Sequence, residues 1–305
     1  MIARLRRRLR PDLEKTIPRR PNLAFPQTTD SQPLPVGIYL LGSSVQDRNR
    51  LAHQSALAAL YFAEHYKDFV TFTPNRILDA GCGVGQSTLM LARFYQAAEL
   101  VGVDRDKKAI ETARNLTRSS THTNRRIDYA VGDVQNNLPA GPFDMVYSSL
   151  VVQHLQHPMG MILKAFDVLR PGGVLWLREM QGTWNEALNH PDALWFTDQI
   201  FRFQMTIGAQ PFISPQLPHL MTGAGFTNIQ THPEDHPMSA RAGVQQLALD
   251  TLLGLFKNAS IPLSEVNRVA EYEFKTRLNR LLADQETLNG ELPLVNVIGF
   301  KPENS

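Results

Sequence analysis

Only one cysteine, Cys82, occurs in 305 residues, so no internal disulfide can form and nothing argues for secretion. Long apolar runs are also missing: none approaches the roughly 18–20 residues that a membrane-spanning helix needs. Net charge is nearly absent at +2, too balanced for the basic footprint of a nucleic-acid binder. No internal repeat or low-complexity tract interrupts the chain. A cytoplasmic protein with no membrane span and no nucleic-acid partner is expected. Positively, 43 % of the residues are hydrophobic and 20 % charged, an ordinary globular balance. The length suits one large domain with insertions, or two small ones.

The small positive excess sits at the front, where "MIARLRRRLRP" carries Arg4, Arg6, Arg7, Arg8 and Arg10 before the first acid, Asp12. Such a run could hold an anionic surface or serve as a targeting segment, although targeting segments are usually Ser-rich as well; a solvated tail is the simplest reading. Prolines 11, 18, 21, 26, 33 and 35 punctuate this end of the chain, so residues 1–35 are expected to be irregular and residues 36–305 to form the folded domain.

A lead-in helix is expected over 44–68, opening on a capping-box-like Ser44–Asp47 pair and carrying Leu57, Leu60 and Tyr61 at helical spacing. Strand-like and helix-like stretches then alternate. "RILDAG", "ELVGVDRD", "IDYAVGD", "FDMVYSSL" and "VLWLRE" read as strands, with "GQSTLMLARFYQ", "DKKAIETARNLTR" and "MGMILKAFDVL" as helices between them. The last helix is expected to break at "RPGG". That alternation means a parallel sheet wrapped by helices. Later, "GFTNIQTHP" and "PLVNVIGFKP" read as two more strands. Segments 180–222, rich in Trp and Phe, and 237–291, mostly helical, read as insertions that cap one end of the sheet.

The most informative stretch is "NRILDAGCGVGQSTLMLA", in which Gly81, Gly83 and Gly85 come after a strand and open a helix. Glycines there permit tight turning and close approach of a ligand to the backbone at a helix N-terminus. A dinucleotide loop has the spacing G-x-G-x-x-G, and its third glycine would fall on Gln86. Asp79 at the strand end also disfavours a pyrophosphate, because two negative groups would crowd one pocket. It suits a ligand carrying an ammonium and a sulfonium. Asp104 ends the second strand, where a carboxylate can accept both hydroxyls of a ribose. Asp133 ends the third, where it can accept from an adenine amino group while the amide of Val134 donates to the ring. Each acid alone reads as a cap or loop residue; three at successive strand ends are an unlikely coincidence.

Taken in order, "ILDAGCGVGQ", "LVGVDRD", "AVGDVQNNLP", "FDMVYSSLVVQHLQHP" and "LRPGGVLWLRE" resemble the motifs of class I S-adenosylmethionine-dependent methyltransferases over roughly residues 75–180. The flanks "YLLGSSVQDRNRLAHQ" and "GAQPFISPQLPHLMTGAGFTNI" are similar, more loosely, to the small-molecule branch of bacterial natural-product tailoring. The resemblance implies a Rossmann-like α/β fold, with a seven-stranded, mostly parallel sheet whose last strand is antiparallel. It implies S-adenosyl-L-methionine as cofactor, held by Asp79, Gly81, Gly83, Gly85, Asp104, Arg105, Asp133, Val134, Ser148 and Gln54. The implied partner is a small molecule, and a homodimer is compatible with it.

Methyl transfer asks mainly for alignment of a nucleophile behind the sulfonium; a hydroxyl or acidic C–H also wants a base. His154, about one turn past the fourth strand, is either that base or a structural histidine. Glu179, ending the fifth strand, either meets a substrate amine or acts as base, or simply caps a loop. Gln153 has similar alternatives. His157 near His154 lacks an acidic cluster, so no metal is expected. The rings of Trp184, Trp195, Phe201 and Phe203 read mostly as core, with a pocket lid as the sharper alternative, as does Tyr39. The resemblance also implies that Arg50, beside Gln54, approaches the methionine end of the cofactor; an exposed helix face is the alternative for both. "SSLV" after the fourth strand lacks the D/N-P-P-aromatic run of nucleic-acid amine methyltransferases, and Cys82 is misplaced for a cytosine carbon-5 enzyme. Paired glutamates of a protein-arginine enzyme are missing, with Gln153 and His154 in their place. The expected activity is methyl transfer to an O, C or N atom of a small, partly apolar metabolite. A cyclase-type enzyme of the same fold, an NAD-dependent oxidoreductase and a non-catalytic subunit are the rivals.

Overall fold

The computed structural model describes residues 45–120, 126–181, 189–238, 250–254, 256, 271–284, 286 and 290–304. All belong to one compact unit, Tyr39–Ser305. The arginine run, Tyr39, Trp184, much of the second insertion and the side chain of Arg50 lie outside the described residues.

A seven-stranded sheet organises the chain, in the order β3-β2-β1-β4-β5-β7-β6. Its strands are β1 (Arg76–Ala80), β2 (Glu99–Asp104), β3 (Ile127–Val131), β4 (Phe143–Ser149), β5 (Leu169–Met180), β6 (Thr227–Met238) and β7 (Gly290–Phe300). The first five pair in parallel, and β7 runs antiparallel to both β5 and β6. Helices cover both faces, which is why β1 reads as a continuous apolar run. Ile77 points towards α1 (Val45–Phe69) and α2 (Gln86–Phe94), in a cluster with Phe62, Phe69 and Trp176; Leu78 points the other way, in a cluster fed by α4 (Pro158–Val168) and α6 (Leu217–Gly223). Phe62 stacks on Trp176 with ring centroids 4.7 Å apart, seating α1 on the sheet. Between β2 and β3, α3 (Lys107–Ser119) starts on Asp106, whose side chain accepts from the Lys108 amide and caps the helix.

The break at "RPGG" is a bulge rather than a gap. Leu169 pairs with Phe143 and Val174 with Met145, so residues 170–173 bow out against the single residue Asp144. Asp144 accepts from the amides of Asn75 and Arg76 and from Arg170, pinning the first ends of β1 and β5 together. The β6–β7 pair runs further than the sequence suggested, from Thr227–Phe300 to Met238–Gly290. Pro233 and Pro237 had masked that length; β6 is an edge strand, where a missing N–H does no harm. In the first insertion, α5 (Pro191–Thr206) buries Phe196 and Phe203. Asp192 at its start takes Arg277 and Arg280 of α7 (Glu271–Ala283), tying the two cap helices together.

Candidate functional site

The C-terminal ends of the parallel strands gather most of the residues that the sequence picks out. Gly81, Gly83 and Gly85 all adopt positive φ, +81°, +52° and +83°. Their surroundings differ. A Cβ on Gly81 would fall 2.3 Å from Val151, and one on Gly85 would fall 2.7 Å from the Tyr129 hydroxyl and 2.9 Å from Ala113. Those two glycines let the protein pack on itself. A Cβ on Gly83 would meet nothing within 4 Å, so Gly83 is the glycine whose backbone a ligand can approach.

Asp104 adjoins that open glycine. One carboxylate oxygen accepts from the Gly83 amide and the other from the Asp106 amide, both at 2.9 Å. A carboxylate has about four acceptor positions, so each oxygen keeps room for a ligand hydroxyl. Burial pushes its pKa up, against the pull of those two amides. Asp133 caps the next turn, accepting from the Gln135 amide and from Asn136 Nδ2. Val134 is buried in the core, leaving its backbone as the group that can serve a ring.

Asp79 departs from the direct-contact reading. It is 1 % exposed, beneath the loop, and one oxygen accepts from Ser87 and Thr88 at 2.6 Å. Its other oxygen is buried without a hydrogen-bond partner among the described residues. Desolvation raises its pKa to about 6, and the neighbouring Asp104 charge adds to the rise. A cation held above the loop would offset that repulsion. The loop, its open glycine and the two neighbouring acids therefore fit a ribose-bearing cationic ligand. Ser87 and Thr88 were not singled out by sequence reasoning; two hydroxyls opening a helix after a buried strand acid were the available signal.

Ser148 departs from its expected cofactor role, and Glu179 follows the loop-capping alternative. Ser148 is fully buried and donates its hydroxyl to the Ala80 carbonyl at 2.8 Å, so it fastens β4 to β1 instead of facing a cofactor. Glu179 is also fully buried: one carboxylate oxygen accepts from the amides of Val151 and Val152 at 3.0 and 2.7 Å, and the other has no hydrogen-bond partner among the described residues. Desolvation lifts its pKa to about 7, although those amides pull it down. Its place is under the 3-10 turn Val152–His154, as a cap for that turn. Leu150, with φ +58°, makes the sharp corner into it. Arg105 is exposed, and Gln54 is half-buried on α1.

His154 ends the 3-10 turn, half-buried, with its Nδ1 3.2 Å from Nε2 of Gln204 on α5. The cap therefore reaches the turn directly. Gln153 is buried and its carbonyl accepts from the Gln210 amide. His157 is exposed at the start of α4, and among the described residues no group of three or more His, Cys, Asp or Glu side chains is placed to hold a metal. Nor is any helix there long and apolar enough to cross a membrane.

Residues 78–177 match a family described as Methyltransferase domain. A trans-aconitate 2-methyltransferase of Methylobacterium radiotolerans is 31 % identical over 33 % of this chain and 36 % of its own length. A mitochondrial ubiquinone biosynthesis O-methyltransferase of Mus musculus is 31 % identical over 46 % of this chain and 38 % of its own. The matches thus span well under two thirds of these relatives. Among solved structures, a putative methyltransferase from Bacillus halodurans superposes with a TM-score of 0.53 at 16 % identity, covering 79 % of this chain and 98 % of that one. The [4+2]-cyclase SpnF gives 0.50 at 17 % identity, covering 87 % and 86 %. Residues 78–177, which carry the open glycine loop and the acids at successive strand ends, thus form a methyltransferase domain, and the sheet order around them is the fold that class I S-adenosylmethionine-dependent methyltransferases share.

Proposed function

We propose that the chain binds S-adenosyl-L-methionine and transfers its methyl group to an oxygen or activated carbon of a small, partly apolar molecule. The observation that carries this reading is the pairing of Asp104 with the amide of Gly83, the open glycine of the loop. That arrangement offers a carboxylate to the ribose hydroxyls while the backbone meets the rest of the ligand. The bound cofactor supplies an activated methyl group. Asp133 and the Val134 backbone take the adenine, Asp79 contributes charge from beneath the loop, and Gln54 on α1 serves the methionine end.

On the substrate side, His154 accepts the proton that the nucleophile loses. A neutral imidazole suits a hydroxyl or an acidic C–H near pH 7, which favours oxygen or carbon over a neutral amine. The names of the relatives, which include an O-methyltransferase, agree with that choice. The described helices of the two insertions, α5 and α7, tied together through Asp192, Arg277 and Arg280, cover the methyl end. Bacterial natural-product tailoring is the setting suggested by the flanking motifs.

Mass spectrometry after offering candidate metabolites with labelled cofactor tests the reading. Methyl transfer adds about 14 Da to the acceptor, because the methyl group that the site aligns replaces a proton, plus the mass of the label. A product of unchanged mass, formed only when the cofactor is bound, would favour the cyclase-type alternative.

A further inference from the structure

Gln204 lies on α5, far from the strand ends in sequence, yet its amide meets the ring of His154. It is buried, and its Oε1 has no hydrogen-bond partner among the described residues. Three further bonds bolt the end of α5 to the same turn: the Gln210 amide donates to Gln153 O at 2.8 Å, Gln156 Nε2 to Ile207 O at 3.0 Å, and Gln210 Nε2 to Gln156 O at 3.3 Å. From below, Glu179 holds the amides that start the turn. The imidazole is thus fixed by its own backbone and by a cap residue at once.

The chemistry of the pair depends on which amide atom faces Nδ1, and a half-turn of the amide exchanges oxygen and nitrogen in nearly the same space. With Nε2 facing, Nδ1 must be unprotonated, so the ring proton sits on His154 Nε2 and occupies the lone pair a base needs. The buried Gln204 carbonyl is then left without a donor, an outcome that buried amides avoid. An NH2 facing Nδ1 would also oppose the Nδ1–H of an imidazolium, donor against donor. With Oε1 facing, it accepts from Nδ1–H both before and after the ring takes up a proton, and the lone pair remains on Nε2.

We infer that Gln204 is a positioning residue: its carbonyl holds His154 in the Nδ1–H tautomer and sets the ring's Nε2 as the proton acceptor for the substrate. The inference rests on the reading of His154 as the proton acceptor. It gives the cap insertion a chemical task beyond covering the pocket, because displacing α5 would release the imidazole. Gln204 stays neutral, so it orients the ring without adding a charge. The proton leaving the nucleophile ends on Nε2, and Nδ1–H keeps its bond to Gln204.

Nitrogen-15 NMR of the histidine rings tests this without any substrate, with the His154 signals assigned by their loss in His154→Ala. At a pH of about 8.5, above the ordinary histidine range, His154 should be in the Nδ1–H form. Gln204→Leu should make that form a minority, and Gln204→Glu, which restores an acceptor oxygen, should recover it. A His154 proton on Nε2 in the parent protein overturns the inference, as does an Nδ1–H form that survives in folded Gln204→Leu. Turnover of His154→Ala separately judges the underlying reading. A turnover collapse with an Nε2–H parent refutes only the role of Gln204, whereas an Nδ1–H parent with unimpaired His154→Ala refutes the proton-acceptor reading.

Discussion

His154→Ala lowers turnover at least about a hundredfold, the lower bound of what a positioned general base contributes, while affinity for S-adenosylhomocysteine stays within about twofold. The split comes from position. His154 sits on the 3-10 turn after β4 and against the cap, whereas the proposed cofactor contacts sit on α1, on β1 to β3 and in the loops of those strands. Steady-state kinetics on the acceptor found by labelled transfer, with a parallel binding titration, check both halves. Turnover within a few-fold of the parent would make His154 structural and leave catalysis to alignment.

Glu234→Ala is expected to destabilise the fold by about 3–5 kcal/mol, the cost of leaving a buried charge without its partner. Arg178 and Glu234 are 2 % and 1 % exposed. Arg178 Nε donates to both Glu234 oxygens, its NH2 group donates again, and Asn296 Nδ2 adds a fourth bond at 2.7 Å. Trp176 Nε1 in turn donates to Asn296. The cluster joins β5, β7 and β6 under α1, where Tyr61 reaches the Pro233 carbonyl and burial lifts its own pKa to about 12. Since whole domains are stable by only about 5–15 kcal/mol, the loss should be plain in denaturant unfolding. Replacing both partners, Arg178→Met with Glu234→Leu, should recover most of it. A loss below about 1 kcal/mol, the range of exposed pairs, would show that the pair is solvated.

How legible this was in the sequence varied with how local the cause was. The strands that end at or within two residues of Asp79, Asp104 and Asp133 could be read directly, because short apolar runs that stop near an acid and a turn declare the strand and, to within a residue or two, its end. The three glycines could be read as a loop but not told apart: Val151 and Tyr129, which require Gly81 and Gly85, lie on other elements. Arg178 and Glu179 show the same limit. Neighbours on a strand face opposite sides, and nothing in "VLWLRE" says that Arg178 meets Glu234 under α1 while Glu179 caps the turn before His154. Gln204 was invisible for a related reason, since a lone helix glutamine carries no motif. Ser148 took a cofactor role from its family position, whereas the strand pairing gives its hydroxyl to Ala80.

The central claim, that the acidic strand ends form an S-adenosylmethionine site, is tested most directly by calorimetric titration of S-adenosylhomocysteine beside NAD. S-adenosylhomocysteine should bind and NAD should not. Losing a charge-assisted hydrogen bond of about 1.5–3 kcal/mol should make Asp104→Ala weaken binding tenfold or more. Asp79, protonated up to about pH 6 in the free protein, must ionise to favour the ligand's ammonium. Affinity should therefore rise with pH between about 5 and 7.5, and Asp79→Asn should flatten that rise. Binding of NAD in place of S-adenosylhomocysteine, or an unchanged affinity in folded Asp104→Ala, would contradict the account.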